Sequence, residues 1–267
     1  MMLSRVADNL YWMARYLERA QHTARLVDVN LDLMPDRSVE ATQRAWQNVF
    51  AGLRLPAPEK SGFKAYDVTR MLTFDTSHEG SIVSHIDVAR ENARQVRESI
   101  SSEMWEQINR LYLDVKNTKL DKIWRGQPHE FFQMVKQGAH LFQGITDSTM
   151  NQGEGWHFIR LGQFIERAGN VAALLSVQLS QTPQNGQTTM NTDQYLDWVG
   201  LLRCCTAFES YCKVYSADPR YDHIAEFLLL NEEFPFSVHF AVNAMRQALN
   251  AIVNITDTPT SFSSARI

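Results

Sequence analysis

Between residues 3 and 31 apolar groups stand at Leu3, Val6, Leu10, Met13, Leu17, Ala20, Ala24, Val27 and Leu31, in steps of three and four. A stripe with that period over about eight turns is buried by one arrangement, a long amphipathic helix packed on other helices. Ser4 is placed to cap its start. Met34-Pro35-Asp36 ends it, because the residue before proline is pushed out of the α region.

The same reading predicts helices over 39–54, over a short stretch opened by Asp67 and running through Met71 and Leu72, and from Ser81 through Ile100. Ser101-Ser102 interrupts that last one, and a helix resumes through Trp105, Ile108 and Leu111. Pro128, tolerated where its missing N–H costs nothing, opens another to about Met150. After the turn at 151–155 come helices over 156–180, 193–214, 219–230 and 235–254, with a polar linker from Gln181 to Asp193. No segment alternates like a strand, so the expected fold is all-α, a helical bundle of about eight or nine helices. Scarcity of breakers agrees: Gly 12 and Pro 8 together make about 7% of the 267 residues, against roughly 12% in ordinary globular chains.

Other classes fall away on composition. With 44% hydrophobic and 21% charged residues the chain is too apolar for intrinsic disorder. A formal net charge of −4 supplies no basic field for nucleic acid. The N-terminus lacks the pattern of a signal peptide, and no run of 18 apolar residues predicts a membrane span. Cys204, Cys205 and Cys212 make a poor disulfide framework without zinc spacing and are read as buried thiols of a cytoplasmic protein.

An offset of 148 residues lays Trp12–Leu26 (WMARYLERAQHTARL) on Arg160–Leu174 (RLGQFIERAGNVAAL), with five of fifteen positions identical, among them Glu18/Glu166 and Arg19/Arg167. This internal pseudo-repeat predicts one all-helical domain over 1–255, built of halves at about 1–150 and 151–255, followed by a flexible tail at 256–267.

At 100° per residue, Tyr11, Arg15, Glu18, His22 and Arg25 share one stripe beside the apolar face, and Arg15 and Arg25 are both placed to approach Glu18. Nearby guanidiniums hold a carboxylate ionised. The second copy reads Ile159, Gln163, Glu166, Asn170 and Ala173, with Arg167 on its flank. Three readings stay open: a solvated face, a buried ion network that sets helix register, and a site for an anionic substrate gripped by arginine forks. Arg90, Arg94 and Arg97 form a further row, which Glu91 and Glu98 are placed to neutralise. There is no P-loop, no G-x-G-x-x-G, no nucleophile elbow and no H-E-x-x-H, so neither metal nor cofactor is expected.

Four ordered blocks carry a resemblance: SRVADNLYWMARYLERAQHTARL (Ser4–Leu26), ARENARQVRESISSEMWEQIN (Ala89–Asn109), FIRLGQFIERA (Phe158–Ala168) and FLLLNEEFPFSV (Phe227–Val238). Together they resemble the bacterial alpha-E domain family. The resemblance implies an all-helical protein associated with circularly permuted ATP-grasp-like and with transglutaminase-like proteins, hence a helical partner in peptide or amide-bond synthesis or modification. It places the family's charged motif on Arg15, Glu18, Arg19 and Arg25, on Glu166 and Arg167, and on Arg90, Glu91, Arg94 and Arg97. Where the family pattern has arginine, this chain has Gln163, Ala173 and Phe236, so its second half is the weaker one.

The expected role is a non-catalytic subunit that helps bind an acidic or peptidic substrate, as a monomer or homo-oligomer. Two alternatives compete: an enzyme using Glu18 with an arginine clamp, and a purely structural scaffold. Arginines beside Glu18 would depress its pKa, which disfavours a general acid or base working near neutral pH.

Overall fold

The computed structural model describes residues 2–58, 64–125, 128–182, 190–215 and 218–257. Among them all regular structure is helical, running through α1 (Ser4–Leu33), α2 (Val39–Gly52), α3 (Ala65–Phe74), α4 (Ile82–Gln95), α5 (Ser102–Asn117), α6 (Leu120–Arg125), α7 (Pro128–Thr149), α8 (Glu154–Ser180), α9 (Thr192–Cys204), α10 (Phe208–Val214), α11 (Tyr221–Leu230) and α12 (Val238–Asp257). Short 3-10 turns at Met34–Asp36 and Arg97–Ser99 complete the order. No described helix is long and apolar enough to cross a membrane.

Several ends follow from capping chemistry. Ser38, Ser81 and Ser101 each accept a bond from the backbone N–H three residues on, at the starts of α2, α4 and α5. Asn191 and Gln194 form a reciprocal capping box at α9. Ser4 does not cap α1: Leu3 is the extended N-cap residue, without a side-chain bond, and Ser4 is already helical. Asp67 likewise lies in the first turn of α3, whose N-cap is Lys64.

There are more helices than the eight or nine expected. The segment 193–214 is not one helix but α9 and α10, because Thr206 turns left-handed at φ 51°. Ala207 N–H then reaches back to Leu202 O, closing α9 as a Schellman-type stop without glycine. The helix expected to run from Ser81 to Ile100 leaves α geometry at Val96, and α6 had no clear sequence signal. The last helix opens at Val238 rather than Pro235, its first turn capped by Ser237 Oγ accepting from Phe240 N–H. Positions 183–189 of the linker and 258–267 of the tail lie outside the described residues.

α1 is the axis of the molecule. It packs on α4, α7, α8 and α9, while α12 covers α8. Its apolar stripe supplies Leu10, Met13, Ala20, Ala24 and Val27, all fully buried. Burial of such a stripe stabilises at about 25 cal/mol per Å² removed from water.

α1 and α8 run parallel. Met2 N–H meets Glu154 at 2.6 Å near the start of both helices, and further along, Glu18 meets Arg167. Gly162 makes the close approach: a Cβ there would stand 2.3 Å from the carbonyl oxygen of Tyr11.

Candidate functional site

Because α1 and α8 are parallel, the charged turns of their two Glu-Arg segments face each other at one level, and each glutamate takes its arginine from the other helix. Glu18 is held by Arg167, Nε to Oε1 at 2.8 Å and Nη2 to Oε2 at 3.1 Å. Glu166 is held by Arg19 (Nε to Oε1, 2.9 Å) and by Arg15 (Nε to Oε2, 2.8 Å). The expected convergence of Arg15 on Glu18 within α1 is therefore not what forms. Arg15 crosses to Glu166 on α8, and Glu18 is engaged instead by Arg167 and Gln143.

These exchanges make two centres. In the first, Glu18 is 3% exposed and also accepts from Gln143 Nε2 at 3.2 Å. Arg167 donates to Pro235 O at 3.3 Å, and its guanidinium lies 4.1 Å from the Phe236 ring centroid and 5.3 Å from that of Phe164. Arg25 is buried beside Phe236, 5.4 Å from the ring centroid. Burial lowers the pKa of Arg25 against the pull of Glu18. This centre is closed, with Glu18 and Arg25 both buried.

The second centre surrounds Glu166, 1% exposed, and is open on one side. Burial opposes ionisation of Glu166, but the bonds and charges of Arg19 and Arg15 outweigh it and hold the carboxyl below its usual value. The guanidiniums of Arg15 and Arg19 lie over Trp12 and Tyr16, at 4.6 Å for Arg15–Trp12 and 5.1 Å for Arg19–Tyr16. A third cation, Arg54, reaches in from the end of α2. Its Nη2 lies 2.9 Å from Asn170 Oδ1 and 3.4 Å from Glu166 Oε1.

Beside this cluster is a cavity of about 270 Å³ between α1, the α2–α3 connection, α4 and α8, lined by Arg19, His22, Thr23, Arg54, His85, Glu166 and their neighbours. His22 lines this cavity, whereas Glu18 and Arg25, which share its expected stripe, belong to the other centre. Burial, with the positive charge of Arg25, pushes its imidazole down to about 3. Burial beside Arg19 pushes His85 down to about 4. Both rings are neutral at physiological pH.

The row at Arg90, Arg94 and Arg97 does not join either centre. Arg90 donates to Asn109 at 2.7 Å and lies over Tyr112 and Trp105, and Arg97 also lies over Trp105. Arg94 makes an exposed two-pronged pair with Glu91. Arg54, Thr23, His85 and Gln143 had no motif to mark them, whereas Asn170 stood on the second-copy stripe. The one available signal among those four was His85, an ionisable ring on the buried face of α4 between Ile82, Ile86 and Ala89.

Comparisons with known proteins give the following. A family model, Alpha-E, described as a predicted alpha-helical domain with a conserved ER motif, matches residues 2–266. This chain carries Glu-Arg at 18–19 and 166–167. An uncharacterized protein of Mycobacterium bovis and two of Mycobacterium tuberculosis are each 24% identical over 201 residues. The match covers 66% of this chain and 22% of each relative, so the chain spans about a fifth of the length of these curated relatives. No solved structure matches it.

Proposed function

The chain belongs to the Alpha-E domain family, and from that premise we propose that it is a non-catalytic helical subunit of an ATP-grasp-type system for amide-bond synthesis or modification, in which it helps hold an acidic substrate. Residues 1–255 act as one unit whose halves, about 1–150 and 151–255, are pseudo-equivalent. The reciprocal pairing of Glu18 with Arg167 and Glu166 with Arg19 supports that reading, since two copies of one motif meeting across a pseudo-twofold axis exchange partners in this way.

One observation carries the acid-binding role. Three guanidiniums converge on the single carboxylate of Glu166 at the wall of a cavity, leaving an excess of positive charge that an anionic ligand would balance. An enzyme built on Glu18 has less support. Both its oxygens are occupied by Arg167 and Gln143, and almost none of it meets solvent. The row at Arg90, Glu91, Arg94 and Arg97 is better suited to a partner surface than to a substrate, since Arg94 and Glu91 are exposed.

Co-purification of the full chain with a circularly permuted ATP-grasp-like protein from the same organism tests the partner role. A complex at micromolar concentration is expected. Its absence, with both proteins folded, overturns the reading. A transglutaminase-like protein tested alongside separates a general assembly role from an ATP-grasp-specific one.

A further inference from the structure

We propose that Arg54 and the cavity beside it bind the carboxylate of a small aliphatic compound of amino-acid size, with Arg54 as the pairing cation and Arg15 and Arg19 as fixed counter-ions of Glu166. The proposal rests on the acid-binding reading for the sign of the ligand's charge; its size, shape and pairing group come from the cavity itself.

The three arginines are not equivalent. Arg15 and Arg19 each place Nε within 2.9 Å of a different oxygen of Glu166, so both oxygens are already engaged. Arg54 stands farther off at 3.4 Å, and its side chain is 51% exposed where those of Arg15 and Arg19 are 21% and 28% exposed. Glu166 is thus neutralised twice over without Arg54, whose charge remains available.

The backbone at Arg54 is itself unusual. It occupies the left-handed region at φ 59°, a place that L residues other than Gly, Asn and Asp seldom take. Leu55 N–H bonds Phe50 O around it, so the stop of α2 aims this side chain back over α8. Gly169 leaves room for it: a Cβ there would stand 3.0 Å from Arg54 Nη1. A strained position that directs a cation into a cavity is where functional constraint is expected.

His22 Nε2, Thr23 Oγ1 and His85 Nδ1, on residues beside the cavity, are shielded even from water-sized contact and have no hydrogen-bond partner among the described residues. Such atoms are uncommon and unfavourable unless something supplies the missing bond. Thr23 is fully buried and His85 is 7% exposed. Thr23 and the two imidazoles therefore form the layer behind the cavity wall, close enough for the imidazoles to report a bound ligand.

Size and wall chemistry narrow the class. The cavity of about 270 Å³ is far above the roughly 10–15 Å³ that one water needs, which leaves room for a ligand of amino-acid size. Leu53 and Leu55 flank Arg54 and offer an apolar wall to an alkyl chain. Glu79 and Glu166 line the same space, so the lining favours a single negative charge over a phosphate dianion.

The test uses the full chain and imidazole NMR resonances of His22 and His85, titrated with butyrate, L-glutamate and inorganic phosphate. Butyrate and L-glutamate are expected to move both resonances at millimolar concentration, and phosphate neither. Arg54→Gln should weaken carboxylate binding roughly tenfold to a hundredfold with Tm unchanged, while Arg94→Gln binds as the parent does. If Arg54→Gln fails to fold, Gly169→Ala displaces the guanidinium without removing it and should weaken binding by a smaller factor.

Silence to both carboxylates, a response to phosphate instead, or undiminished binding by the Arg54 variant overturns the proposal. Failure here is distinguishable from failure of the partner role. A chain that ignores both carboxylates yet still captures the ATP-grasp-like protein loses only the site, and one that binds them through Arg54 without capturing it loses only the partner.

Discussion

The Glu18 and Glu166 centres start from the same Glu-Arg segment and end as different environments. At Glu18, Arg167, Gln143 and the Phe236 ring close the space, with Arg25 buried beside that ring. At Glu166, three guanidiniums crowd one carboxylate, and a cavity opens beside it. Gln163 and Ala173 stand on α8 where α1 has Arg15 and Arg25. The charge-poor second copy therefore leaves Glu18 with fewer cations, and the charge-rich first copy delivers its surplus across the interface to Glu166. A satisfied ion pair in the core works as a structural rivet, and the over-compensated one beside a cavity is where we propose that a ligand binds.

The largest effect should come from breaking the closed centre. Arg167→Met strands the Glu18 carboxylate, which costs about 3–5 kcal/mol, or roughly 6–20 °C in Tm for a chain of this size. Glu18→Leu with Arg167→Met should recover much of that loss, because removing both charges removes the desolvation problem. Thermal denaturation checks both. If the single variant melts like the parent, Glu18 is not a rivet.

Glu166→Gln should cost less, about 1–3 kcal/mol, since Arg15, Arg19 and Arg54 are partly exposed and can turn toward water. Added salt should offset part of this loss by screening the three cations and should do little for Arg167→Met. Equal losses and equal salt responses in denaturation curves would erase the distinction between the two centres.

pH should also separate them. An imidazole whose folded pKa lies below its unfolded 6.5 binds fewer protons in the folded chain. Stability from His22 and His85, held near 3 and 4, is therefore complete above about pH 6.5 and declines as pH falls below it. Glu166, depressed from 4.5, contributes stability that is present above that value and lost only at lower pH, as its folded pKa is approached. Between these limits the slope belongs to histidine, and His85→Asn should flatten the Tm–pH profile from 6.5 to 4.5. An unchanged profile would count against a buried neutral ring at this centre. The smallest effect is expected from Arg94→Gln, outside both centres, whose exposed pair with Glu91 is too solvated to matter to Tm.

How much of this could be read in advance differs by feature. The periodicity of α1 and the serines at 38, 81 and 101 belong to local chemistry, in which a side chain meets its own backbone a few residues away. The stop at Thr206 was not visible, because a left-handed threonine carries no composition signal of the kind glycine does. At the site, Glu18, Glu166 and the arginines stood out by repetition. Their pairing did not, since a helical stripe lists which groups face the same way and not which neighbour they meet. Arg54 lies 112 residues from Glu166 in a loop with no motif and was missed outright.

By itself, then, the sequence determined the all-helical class and most of the helices, the buried face of α1, the two Glu-Arg segments and, through its four ordered blocks, the family. Those depend on short-range periodicity and on residue identity. Only the tertiary structure decided that the two segments trade partners, that one centre closes and the other opens, and that Arg54, Thr23 and His85 line the open one. Parallel packing of α1 on α8 at Gly162 did that, by bringing to one level charges that the chain holds some 150 residues apart.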